Sequence, residues 1–231
     1  MRKELGITQQ YLLCALNKNG KLSAWSVEQQ ICFIAGALLE LLKEGCCEEE
    51  NRKITAKRVP EEDIDYKTSL YVYLQDKPRK INAIASDYTF TFTAKRMKEL
   101  LDSVGTSLVR EGCAGEENSG IFVESRHFYP KPEYVDKVIQ QLRAELLEEG
   151  TMSEEMIVLA ALLDTGGLLK KYFSKYEADQ LKKRIKEVRK SEEGAMIKSM
   201  MDYVESMIIA VSIAGSAATV SYTHLRAHET L

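Results

Sequence analysis

The chain has 231 residues, 45% hydrophobic and 29% charged, with a net charge of −3. That balance describes a soluble globular protein and excludes a disordered one, and the slightly negative charge excludes bulk attraction to polyanions, so any affinity for phosphate must be local. The length is enough for one sizeable hydrophobic core or two small ones.

In chain order, Thr8 is the expected cap of a short helix running to Leu16, and Asn19-Gly20 is turn chemistry because both residues tolerate positive φ. Ser23 or Ser26 caps the next helix, whose apolar residues fall at Ile31, Ile34/Ala35, Leu38 and Leu41/Leu42 before Gly45 stops it. Gly36, between Ala35 and Ala37, predicts the close approach of another helix. Trp25, the only tryptophan, stands just before this buried helix. Glu48–Arg58 is polar, with Lys53–Lys57 a candidate short strand. Pro60 followed by Glu61, Glu62 and Asp63 marks a helix start carrying Ile64, Leu70, Val72 and Leu74 up to Lys77-Pro78. A short helix over Ile81–Ile84 follows.

Thr93 then caps a predicted helix through Met97, Leu100, Leu101, Val104, Leu108 and Val109, stopped at Gly112 and weakened internally by Gly105. Between Cys113 and Tyr129, Glu117-Asn118-Ser119-Gly120 separates two short segments, the second being Ile121-Phe122-Val123, which reads as a β-hairpin. Pro130 and Pro132 open a helix that ends at Gly150. Glu154–Phe173 is apolar nearly all round at Met156–Leu163, the mark of a central buried helix, with Gly166-Gly167 as a bend. Ser174 with Glu177 forms a capping box for Tyr176–Lys190, and Gly194 precedes a last helix, Ala195–Ala217.

Five cysteines (Cys14, Cys32, Cys46, Cys47, Cys113) form no metal spacing. Cys14 and Cys32 sit in apolar runs as small core residues, and the vicinal Cys46-Cys47 pair reads as reduced, with redox sensing the alternative. The apolar run Tyr11–Leu16 is too short for a secretory signal, and Met207–Ala218 falls under the ~18 apolar residues that a membrane span needs. The expected location is therefore cytoplasmic. There is no Gly-rich phosphate loop, nucleophile elbow or His-Glu-x-x-His, so the chain is expected to be no enzyme, with no cofactor, metal or catalytic residue. Val220–Thr230 looks like the in-frame translation of a transposase sequencing adapter and is set aside as a non-native tail (220–231), leaving 1–219 as one domain.

Several stretches occur in a set order. Leu12-Leu13-Cys14-Ala15-Leu16 precedes Gly20, and Ser23-Ala24-Trp25 precedes Ala35-Gly36-Ala37-Leu38-Leu39-Glu40-Leu41. Leu108-Val109-Arg110-Glu111-Gly112 precedes the hairpin, and Leu159-Ala160-Ala161-Leu162-Leu163 leads to Gly167-Leu168-Leu169 and Phe173. Together they resemble the Golgi phosphoprotein 3 family over nearly all of residues 5–218. The resemblance implies a mainly helical, all-α single compact domain with one small exposed β-hairpin. It also implies a non-enzymatic adaptor, peripheral on the cytoplasmic face of a membrane. Eukaryotic members bind phosphatidylinositol 4-phosphate and the cytoplasmic tails of Golgi enzymes, and bacterial relatives share the domain.

The family's headgroup pocket uses a Trp and three Arg. Trp25 matches the first position; the others fall on Ile34, Lys98 and Leu101, with Lys95 and Arg96 adjacent to Lys98. The resemblance thus implies a headgroup site of Trp25, Lys98, Arg96 and Lys95, with a point-charge ammonium where the family has a guanidinium fork. It also implies a membrane-contacting or self-associating hairpin at Ile121, Phe122 and Val123. The expected partners are an anionic, phosphoinositide-like lipid and protein tails. Lys182, Lys183, Arg184, Lys186, Arg189 and Lys190 form a second basic run, read as a solvated helix face first and a membrane contact second; without interleaved aromatics it gives no expectation of nucleic acid. The alternative function is a soluble module that holds a peptide at its hairpin or beside Trp25.

Overall fold

A computed structural model describes residues 4–24, 26–57, 65–89, 94–119, 125–147, 152–190, 198–199 and 201–209. The first half holds α1 (Ile7–Ala15), α2 (Val27–Lys43), β1 (Cys47–Glu50), β2 (Lys53–Ala56), a 3-10 turn (Asp65–Lys67), α3 (Thr68–Asp76), β3 (Arg79–Lys80) and α4 (Ile81–Thr89). Then follow α5 (Lys95–Arg110), β4 (Ala114–Ser119), β5 (Ser125–Pro130), α6 (Pro132–Leu147), α7 (Glu154–Thr165), α8 (Leu169–Tyr172) and α9 (Lys175–Val188). Residues 201–209 are also helical, and the tail from 220 lies outside the described residues.

The core is built on α1, α2 and α7. Ser26, not Ser23, caps α2, its hydroxyl accepting the Gln29 N–H at 3.3 Å. From Ile31 to Leu41 every side chain of α2 is buried, Glu40 included. A Cβ added at Gly36 would lie 3.5 Å from the Thr8 Cα, so α1 crosses α2 there with almost nothing between the backbones. On α7, Met156 to Leu163 are all buried, as an apolar run without a polar face requires. Gly45 and Gly112 adopt φ of 68° and 73° and end α2 and α5 in the same way. In each, the glycine N–H and the following cysteine N–H reach back to the last helical carbonyls.

The strands go beyond the expected hairpin. Cys47–Glu50 pairs antiparallel with Lys53–Ala56 through a two-residue turn in which Asn51 and Arg52 both have positive φ, and β3 adds a short third strand. The strand expected at Lys53–Lys57 is β2, anchored by fully buried Ile54; β1 buries Cys47 but is otherwise acidic, which is why it gives little strand signal. The hairpin is also placed differently. Glu117, Asn118 and Ser119 belong to β4, with Ser119 opposite Ser125, so the residues expected to separate the strands pair instead. Ile121–Val123 fall outside the described residues.

Other expectations shift as well. Thr8 is not the cap of α1; Gly6 is, and its N–H is held by the Gln9 side chain at 3.0 Å. Val72 is 55% exposed, because α3 turns Leu70 and Leu74 inward instead. Helix α4 runs on to Thr89, and α5 starts from Ala94 at φ 45° rather than from a threonine cap. The expected long helix to Phe173 breaks at Gly166 and Gly167, the latter at φ 68°, leaving α8 as a single turn. Gly105 does more than weaken α5: the Phe128 ring of β5 lies on it, and no other residue leaves room. All five cysteines are free and buried, and burial pushes the Cys14 and Cys47 thiols up to about 12. The Ser174–Glu177 capping box forms as expected, with the Ser174 N–H donating to Glu177 at 2.7 Å.

Candidate functional site

Helix α5 is amphipathic, with Leu100, Val104, Ser107 and Leu108 turned inward. Its first turn contains Lys95, Arg96 and Lys98 and no acidic residue, and its N-cap, Ala94, offers no side-chain oxygen. Backbone N–H groups at such an end point out of the helix, where anions are favoured.

The three cations do not share one direction. Lys95, with a side chain 76% exposed, lies 3.7 Å from Glu99, and Lys98 donates to Asp102 at 2.6 Å; both contacts span one helical turn at the surface. Arg96 precedes Leu100 by one turn and so follows the buried face. Its guanidinium sits 5.1 Å from the centre of the Tyr73 ring on α3. Arg79 covers that ring as well, at 4.3 Å, and bonds Asp76 at 2.7 Å. The Tyr73 hydroxyl donates to Asp87 at 2.7 Å, and the Tyr88 ring meets Tyr73 edge-on at 5.5 Å. Burial pushes the Tyr73 hydroxyl above its ordinary range, with the Asp87 carboxylate adding to the effect.

Of the two apolar positions aligned with headgroup arginines, Ile34 is fully buried in α2 and Leu101 packs against the core. Trp25 and the hairpin residues Ile121, Phe122 and Val123 lie outside the described residues. Next to Trp25, Ala24 is exposed. His127 holds the Asn19 carbonyl through Nδ1 at 3.0 Å, and the Phe128 N–H donates to the Gly20 carbonyl at 2.9 Å. The hairpin base is thereby fastened to the turn that precedes the Trp25 segment.

The second basic run is also divided. Arg189 bonds Asp202 at 3.1 Å and Glu205 at 3.0 Å, and Lys182 lies 3.4 Å from Asp164. A groove of about 270 Å³ opens between α7, α9 and residues 201–209, but its cations face Asp164 and Glu205 across it and are largely balanced. Sequence reading missed a buried polar knot. Glu40 accepts the Thr8 N–H at 2.9 Å and the Tyr66 hydroxyl at 2.7 Å, and faces Lys67 at 3.2 Å. The signal was present in the sequence: one carboxylate inside the apolar run Leu38-Leu39-Glu40-Leu41.

Among the described residues, no group of acidic, histidine or cysteine side chains could hold a metal ion, and no helix is long and apolar enough to cross a membrane. The fold defines a mainly helical domain with a peripheral hairpin and basic residues at a helix start. The chain belongs to the Golgi phosphoprotein 3 (GPP34) family, whose model matches residues 7–206. The comparison with curated proteins finds no match.

Proposed function

We propose that the protein is a non-enzymatic adaptor that attaches peripherally to membranes by holding anionic, phosphoinositide-like headgroups at the start of α5. One observation carries the reading: the first turn of a 16-residue helix carries three basic residues and no acid, with Lys95 and Lys98 turned to solvent. Family membership supports it. The ammonium groups act as point charges beside the helix end and favour negative charge over one headgroup geometry. Arg96, held against Tyr73, sets the edge of the site from the inner side.

Vesicle flotation at ~50 mM salt, where screening is weak, is the test. The protein should float with vesicles of phosphatidylcholine plus a phosphoinositide and stay behind with phosphatidylcholine alone. Lys95→Ala with Lys98→Ala should weaken binding by roughly thirtyfold, at about 1 kcal/mol per surface lysine. Equal flotation with both vesicle types, or an unaffected double variant, would remove the reading.

A further inference from the structure

Helix α9 carries lysines on its outward side. Lys175, Lys182, Lys183, Lys186 and Lys190 are all exposed, whereas Leu181 and Ile185 are buried on the opposite side. At 100° per residue Lys175, Lys182, Lys183 and Lys186 fall within about a third of the circumference and extend over ~17 Å, with Lys190 in the turn just past the helix end. Two carboxylates share this side, Asp179 within the lysine arc and Glu187 at its edge. With Asp164 of α7 facing Lys182, five cations stand against three anions among the described residues and leave a net positive strip, of which Lys182 and Lys186 also border the groove beside α7.

The two arginines of the run are engaged elsewhere. Arg189 is held by Asp202 and Glu205, and Arg184 lies 4.0 Å from Glu187. Among the described residues, Lys175, Lys186 and Lys190 are in no ion pair, Lys182 faces Asp164, and Lys183 reaches Glu187 only at 3.9 Å. The cations that the helix offers to solvent are therefore lysines: flexible, strongly hydrated point charges without the planar fork that reads a single carboxylate or phosphate. Tyr176, 73% exposed in the first turn, adds one amphipathic ring on the same side.

We infer that the outward face of α9 is a second contact surface, and that its occupant is the anionic face of a lipid bilayer. Charge complementarity selects the partner, and the straight strip of lysines with one interfacial tyrosine fits a planar diffuse charge. An acidic peptide would call for guanidinium forks, and nucleic acid for interleaved stacking rings. The surface adds to the α5 site and does not depend on Lys95 or Lys98.

The experiment uses the full chain, vesicles of 70% phosphatidylcholine and 30% phosphatidylserine, and ~50 mM salt. Lys183→Glu, Lys186→Glu and Lys190→Glu combined should reduce vesicle binding by roughly tenfold or more and flatten its salt dependence. The matching triple Gln variant, retaining helical circular dichroism, should lose less but still several-fold. A loss under about threefold in the Glu variant would overturn the inference, and the Lys95→Ala/Lys98→Ala protein tested in parallel shows whether the α5 site still stands. If the wild-type chain binds a duplex oligonucleotide through these lysines and ignores the vesicles, the bilayer is the wrong occupant. If it binds neither, both membrane surfaces fall together.

Discussion

Gly105 shows how a single residue links two elements that lie far apart in the chain. A Cβ there would run into the Phe128 ring, which is fully buried and whose own N–H is held by the Gly20 carbonyl at 2.9 Å. The ring therefore cannot retreat without loosening the hairpin from the Asn19-Gly20 turn. Alanine would gain about 1 kcal/mol of helix propensity, but overpacking a filled site costs about 1–3 kcal/mol. A Cβ so close to the ring puts the cost toward the upper end, so Gly105→Ala should lower stability by about 1–2 kcal/mol, seen as a lower urea midpoint at unchanged slope. A midpoint equal to or above that of the parent chain would contradict this account. The sequence alone shows only a glycine inside a helix, since the ring that needs the space comes from a strand 23 positions later.

At the scale of the element, the start of α9 makes a prediction in pH. The Ser174 N–H, then Arg143 at 2.8 Å, hold the Glu177 carboxylate and lower its pKa to about 2. A depressed carboxylate pKa contributes stability above the unfolded value near 4.5, and that contribution disappears as the pH falls toward 2. Glu177→Gln should therefore narrow the difference between pH 7 and pH 3 unfolding midpoints, and carboxyl titration by NMR should place Glu177 well below the other exposed glutamates. A midpoint at the ordinary value would refute the cap's role. This box was legible because Ser174 and Glu177 stand three residues apart before an amphipathic run. The helix stops at Gly45 and Gly112 were legible for the same local reason. Of the three-stranded sheet only β2, at Lys53–Lys57, was legible; its partner Cys47-Glu48-Glu49-Glu50 has no apolar alternation and is held mainly by its ladder to β2. Nor did the sequence show that Arg96 parts from Lys95 and Lys98, since its direction is set by Tyr73 from another helix.

Across the whole molecule, α1, α2 and the 3-10 turn meet at one buried charge cluster. Glu40, 7% exposed, serves three partners at once: the N–H of Thr8 near the α1 start, the Tyr66 hydroxyl, and Lys67, itself 2% exposed. Lys67 also bonds Glu44 at 2.5 Å, and its ammonium lies 5.0 Å from the centre of the Tyr66 ring. Between two ions in low dielectric the attraction roughly offsets the desolvation of both, so the intact pair adds little net stability, whereas either ion left alone is costly. Glu40→Gln leaves Lys67 sealed beside an amide, with only the half-exposed Glu44 to answer it, and Lys67→Met leaves the Glu40 charge without its cation. Each single change should cost about 3 kcal/mol or more, enough to lower the urea midpoint clearly. The double variant Glu40→Gln/Lys67→Met should recover most of that loss, because the amide oxygen can still accept from the Thr8 N–H while its NH2 donates to the Tyr66 hydroxyl oxygen, and the methionine fills the lysine's apolar channel. The coupling from the double-mutant cycle should then exceed about 1 kcal/mol. If the two single losses simply add within about 0.5 kcal/mol, the two charges are independent and the three elements are joined by apolar packing alone.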